Sequence, residues 1–206
     1  MQRDMRQLIG CFQNDVSIHP LDMDEEKKLI QSGIDNPRRV KGLVGVTLSF
    51  SSHRLDGIGF RNESKGVEFY SRELGGPLTI GKKDIVRIAA HEGMSDGCHV
   101  FNDMLDYITF STSASRLLFS FNRDYDCLIL NHAKNFNHLV SMTDIYGTVV
   151  SFMPNNEYGR TLSKTLGSRC KSRFNDISLY YKGYVTFRDM VRMVSHGTTY
   201  NNFILQ

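Results

Sequence analysis

Two sets of residues in this chain have types and spacing that suit chemistry. The first centres on Cys98, which follows a glycine in "SDGCHVFNDMLDY". A thiol in the first turn of a helix has its pKa lowered by the helix dipole, and it becomes a nucleophile when a histidine takes its proton. His132, His138 and His196 all lie downstream. The second set is a run of cations. Residues 158–192 carry Arg160, Lys164, Arg169, Lys171, Arg173, Lys182, Arg188 and Arg192 against Asp176 and Asp189, a net +6 in a chain whose total is +3. Residues 1–100 balance at 14 basic and 14 acidic, and residues 101–157 hold three basic and six acidic. The basic excess therefore belongs to one C-terminal segment, and that is where an anionic partner would bind.

Helical spacing organises this segment. With residues 160–174 on a helix, Leu162, Leu166 and Cys170 form an apolar stripe, and Arg160, Lys164 and Lys171 share the opposite face, flanked by Arg169 and Arg173. "ISLYYKGYVTF" then alternates like a strand, with Tyr180, Lys182 and Tyr184 on one side and Leu179, Tyr181, Val185 and Phe187 on the other. A lysine between two tyrosines on a strand face is a platform for stacking bases and holding phosphate, which suits single-stranded RNA or DNA.

The Gly97-Cys98 step before a helix resembles the nucleophile turn of papain-like enzymes. That resemblance implies Cys98 as nucleophile, with His132 or His138 as its base. "YITFSTSAS", Tyr107 to Ser115, resembles the middle motif of the arginine–serine–glutamate ADP-ribosyltransferases, in which a serine motif on a strand supports the nicotinamide pocket and a later glutamate does the chemistry. Glu157 is the only glutamate after residue 111, and it stands in "NNEYGR" without an ExE pair. Strand alternation accounts for the serines without chemistry: Ile108, Phe110 and Thr112 face one way, and Thr109, Ser111 and Ser113 the other. A cysteine with no histidine marked by a motif reads first as a core residue.

Metal and cofactor chemistry find little support. His91, Cys98 and His99 are close in sequence and His132 and His138 are six apart, but no HxH, HExxH or CxxC occurs. "GGPLTIGKKD" has the wrong spacing for a phosphate loop. No metal and no cofactor are expected.

The elements that must position these residues follow from the pattern. A helix is expected over "HPLDMDEEKKLIQSG", with its acids in the first turns. Strand-like runs with a turn signal every 8–12 residues follow to about residue 90, with Asp56-Gly57 as a hairpin turn. "CHVFNDMLDY" suits a helix, and "YITFSTSASRLLFSFNRDYDCLIL" reads as three strands. "NHAKNFNHLVSM" suits a helix, "GTVVSFM" a strand and "EYGRTLSKTLGSRCKSRF" a helix. Thr186 is placed to cap a last helix. The expected fold is α+β, a mainly antiparallel β-meander or sandwich with a few short helices and a helix–strand–helix C-terminal segment, in one domain over residues 1–206.

Cys11, Cys98, Cys127 and Cys170 are scattered, and "MQRDMRQLIGCFQND" has no apolar leader, so free thiols and an intracellular protein are expected. No run of about 18 apolar residues predicts a membrane span. The leading functional expectation is a non-enzymatic nucleic-acid-binding protein, of a style that suits a viral or phage accessory or structural protein. A cysteine-dependent hydrolase using Cys98 with His132 or His138 is the alternative. A self-assembling subunit joined through sheet edges is the third, so a homo-oligomer is a companion expectation.

Overall fold

The computed structural model describes residues 15–31, 34, 36–50, 53–74, 76–113, 121–170 and 173–195. Cys11, Lys171 and His196 lie outside them. The chain is α+β and divides into two compact units, residues 1–86 and 87–206. The expectation of one domain leaves that division unmarked.

The first unit is an antiparallel meander, β1 (Asp15–His19), β2 (Val44–Phe50), β3 (His53–Arg61), β4 (Val67–Ser71) and β5 (Gly76–Ile80), in the spatial order β1-β2-β3-β4-β5. Alternation explains it. Val46, Leu48, Leu55, Val67 and Phe69 pack into one core, with Val16, Ile18, Leu78 and Ile80 packed against them. The helix α1 (Met23–Gln31) starts where its acids suggest. The Asp22 side chain accepts from the Asp24 and Glu25 amides at 2.9 and 2.7 Å, and Glu25 accepts from the Asp22 amide at 2.9 Å, which closes a reciprocal cap.

Asp56-Gly57 is not a turn. It lies inside β3, where Gly57 pairs with Val46, and Phe50 already pairs with His53. Gly57 is needed for close approach: a Cβ there would stand 2.3 Å from the Tyr70 carbonyl oxygen and 2.6 Å from the Phe69 ring.

The second unit departs from the antiparallel expectation. β6 (Val86–Ile88), β7 (Gly97–Phe101), β8 (Asp126–Ile129), β9 (Thr148–Phe152) and β10 (Arg173–Asp176) form a sheet in the order β10-β9-β7-β8-β6. The pairs β7–β8, β7–β9 and β9–β10 are all parallel. Parallel neighbours need crossovers. α2 (Met104–Ser113), α3 (Phe136–Thr143) and α4 (Glu157–Arg169) supply them, and α5 (Phe187–Ser195) follows.

Two sequence expectations fail here for physical reasons. "GCHVF" is a central strand and not a helix start, and all five of its residues are buried, so it shows no alternation to read. The helix begins beyond it: the Asp103 side chain accepts from the amides of Leu105 and Asp106 at 2.9 and 3.1 Å. "YITFSTS" is the body of α2, not a strand. Thr109 and Thr112 donate their hydroxyls to the carbonyls of Leu105 and Ile108 four residues back, at 2.8 and 3.0 Å, so both hydroxyls are satisfied within the helix. The strand form of the ADP-ribosyltransferase resemblance ends there. Residues 114–120, with the rest of that motif, lie outside the described residues. No helix among the described residues is long and apolar enough to cross a membrane.

Candidate nucleic-acid interface

The basic segment is built on α4. Asn156 caps it, its side chain accepting from the Gly159 amide at 2.8 Å. Leu162 and Leu166 are buried on the inner face and Cys170 is partly buried, so the apolar stripe lies where spacing puts it. Arg160 and Lys164 are exposed and one turn apart on the same side. The helix ends at Arg169, with the Cys170 amide bonded to the Leu166 carbonyl at 2.8 Å.

β10 runs below α4, and Gly167 explains how. A Cβ at that position would meet the Phe174 ring at 2.8 Å, so this glycine, unfavourable inside a helix, lets the ring lie against it. Asp176 ends β10. Its Oδ2 accepts from the Ser163 hydroxyl at 2.6 Å and its Oδ1 from the Ser178 amide at 2.9 Å. The second of these bonds starts a 3₁₀ turn, Ile177–Tyr181, in place of the expected strand.

That turn breaks the predicted tyrosine platform. Tyr181 is fully buried and donates its hydroxyl to the Met153 carbonyl at 2.8 Å, whereas Leu179 and Val185, expected beside it, are 61% and 53% exposed. The Asn155 amide nitrogen donates to the carbonyls of Ser178, Tyr181 and Tyr184 at 3.0, 2.8 and 3.2 Å, which curls the chain around it. Tyr180 and Lys182 are exposed and Tyr184 is half-buried, without a shared strand face.

The result is an open pocket of about 400 Å³. Arg160, Lys164 and Gly167 form its α4 wall, Phe174 and Asp176 its floor, and Leu179 part of its rim. It lies along the edge strand β10 and the helix α4, with Asn155, which follows β9, also in its lining. Of the other predicted cations, Arg169 donates to the Asn137 side chain at 3.1 Å, Arg173 is exposed, and Lys171 lies outside the described residues. Phe174, Asp176 and Ser163 escaped the sequence reading. The signal for them was Gly167, a costly residue in a helix that calls for a packing partner.

The cysteine centre does not form. Cys98 is fully buried in the central strand, and burial pushes its thiol well above the ordinary range, with Cys170, Cys127 and Asp126 adding to the effect. Cys127 is pushed up to about 12, first by burial and then by Asp126. Burial opposes thiolate formation, and Cys98 stands in a strand and not at the helix start on which its expected activation rested. His132 is half-buried beside the 3₁₀ turn that follows β8, and His138 is exposed on α3. Cys98, Cys127 and Cys170 are free thiols. No group of three or more metal-ligating side chains is found among the described residues.

This is an α+β chain whose C-terminal unit presents a cationic pocket with an aromatic floor. No family model and no curated protein matches it. Two solved structures are similar to it in outline. The primase fragment of the bacteriophage T7 primase-helicase protein is 10% identical, with a TM-score of 0.48, over 80% of this chain and 65% of that one. A chain from bacteriophage T7 lagging-strand DNA polymerase interacting with primase domains of two gp4 subunits is 9% identical, with a TM-score of 0.49, over 88% of this chain and 90% of that one. The chain thus spans just under two thirds of the first of these. At such distance neither likeness bears on function.

Proposed function

We propose that this chain is a nucleic-acid-binding protein that holds the phosphate backbone through the outer face of α4. One observation carries the reading: Arg160 and Lys164, one turn apart, line the same pocket as the ring of Phe174. Two cations beside an aromatic surface suit a phosphate chain that carries flat bases. Lys164 makes no hydrogen bond or ion pair among the described residues, so its charge is available to a partner. Arg160 is held in place by a hydrogen bond from its guanidinium to the Asn155 carbonyl. Arg173 and Lys182 extend the positive surface at either end of the β10 segment.

The test is fluorescence anisotropy with single-stranded RNA and DNA over a salt series. About three phosphate contacts should give a log–log slope of roughly −2 on single strands. Lys164→Glu should weaken binding on every sequence and flatten the slope, because a phosphate contact carries no base information. Its fold should be unchanged, since the side chain is exposed. A folded Lys164→Glu protein that binds as tightly as wild type would remove this site, and no binding at low salt would remove the nucleic-acid reading.

A further inference from the structure

We infer that the α4 pocket takes one unpaired nucleotide of a single strand, with the phosphate against Lys164 and Arg160, the base on Phe174, and Asp176 accepting from an amino group of that base. The inference rests on the nucleic-acid reading above and adds to it which unit of the polymer enters and which bases are favoured.

The pocket separates three chemistries. Its floor is β10, where Phe174 and Asp176 are two residues apart and so lie on one face, about 7 Å from each other. A flat ring resting on Phe174 therefore brings its polar edge to a carboxylate. The wall is α4, where Arg160 and Lys164 hold the positive charge. The Asp176 carboxylate is itself held to α4 through Ser163, so a phosphate is drawn to the exposed Arg160 and Lys164 and repelled by the carboxylate beneath them.

Asp176 has acceptor capacity to spare. Each of its oxygens already accepts one hydrogen bond, from Ser178 and from Ser163. A carboxylate offers about four acceptor positions, so each oxygen keeps one. Adenine, cytosine and guanine carry an exocyclic amino group that can donate there, whereas thymine and uracil carry none. The volume of about 400 Å³ has room for one nucleotide. A base in a duplex has both faces stacked on its neighbours and can reach the Phe174 ring only by unstacking, so single strands, ends and bulges are the forms that fit.

The experiment is anisotropy at one low salt concentration, with eight-nucleotide oligo(dC), oligo(dA) and oligo(dT) and an abasic deoxyribose-phosphate strand of equal length. Wild-type protein should bind oligo(dC) and oligo(dA) about fivefold or more tighter than oligo(dT), and the abasic strand about tenfold or more weaker than oligo(dC). Asp176→Asn should bring oligo(dC) and oligo(dT) together. Phe174→Leu should weaken all three base-bearing strands about tenfold and leave the salt slope unchanged. Equal wild-type affinity for the abasic strand and oligo(dC) would overturn the inference and leave the phosphate reading standing. Tighter binding of the bases without any dependence on Asp176 would overturn the base preference. No binding of any strand would overturn both. The wild-type comparison of strands needs no variant, so a misfolded Phe174→Leu protein does not weaken the test.

Discussion

In the first unit Glu68 is fully buried on β4, and both of its oxygens are held, one by the Asn62 amide at 2.9 Å and the other by the Thr79 hydroxyl at 2.8 Å. Asn62 also accepts from the Gly66 amide at 2.7 Å, so the network closes on itself. In the second unit Asp106 is equally buried on α2. Its Oδ1 accepts from the Arg188 amide at 3.1 Å, but neither its Oδ2 nor the Arg188 Nε has a partner among the described residues. His99, in the strand before it, is buried among the rings of Phe101, Phe110 and Phe152, and its Nδ1 has no partner among the described residues. The antiparallel unit satisfies its buried charge with neighbouring strands and loops. The parallel unit does the same for Asp126, which Arg87, Tyr146 and the Ala90 amide hold, but it buries Asp106 and His99 with less complete pairing among the described residues, and burial shifts their proton affinities.

The largest effect expected from this contrast is at Glu68. Glu68→Ala should lower stability by about 3 kcal/mol in urea unfolding, because the Asn62 amide and the Thr79 hydroxyl lose their buried acceptor. A loss under about 1 kcal/mol would mean that the network contributes little.

Asp106 should behave in the opposite way. Burial, aided by Asp103 and Asp189 and opposed by Arg188, pushes its carboxyl up to about 7 from 3.8. Between these values the folded state binds the proton more tightly than the unfolded state, so this group's contribution to stability falls as pH rises from about 4 to 7. His99 works against it. Burial pushes its imidazole down to about 4 from 6.5, so its contribution is lost as pH falls through that range. The two slopes offset each other in wild type between about pH 4 and 6.5. Asp106→Asn keeps an acceptor for Arg188 and removes one slope. It should raise stability at pH 8 by about 2 kcal/mol and leave a profile that falls on acidification. A variant with the wild-type pH profile would show that Asp106 has an ordinary proton affinity.

The smallest effect expected is at the pocket's own support. Asn156→Ala should cost about 1 kcal/mol by leaving the Gly159 amide without its cap, and it should weaken nucleic-acid binding slightly by loosening the first turn of α4, which carries Arg160. Thermal unfolding and anisotropy on the same preparation would separate the two consequences.

The sequence by itself determined the elements whose signals are local. Alternation in "LVGVTLSF" and "GVEFYSREL" placed β2 and β4, the acids after His19 placed α1, Thr186 capped α5, with the Asp189 amide donating to its hydroxyl at 3.1 Å, and four-residue spacing placed the buried stripe of α4. The concentration of cations after residue 157 was equally legible. Tertiary structure decided the rest. β7 is a central strand between β8 and β9 with residues buried on both faces, so it has no alternating pattern to distinguish it from a helix. Asp56-Gly57 carries a turn dipeptide, but the ring of Phe69 occupies the space a side chain would need. Tyr180, Lys182 and Tyr184 alternate in sequence, but the Asn155 side chain gathers three carbonyls and curls the segment into a turn. The pocket depends on a ring seven residues beyond the glycine that admits it, and only the packing of β10 beneath α4 brings the two together.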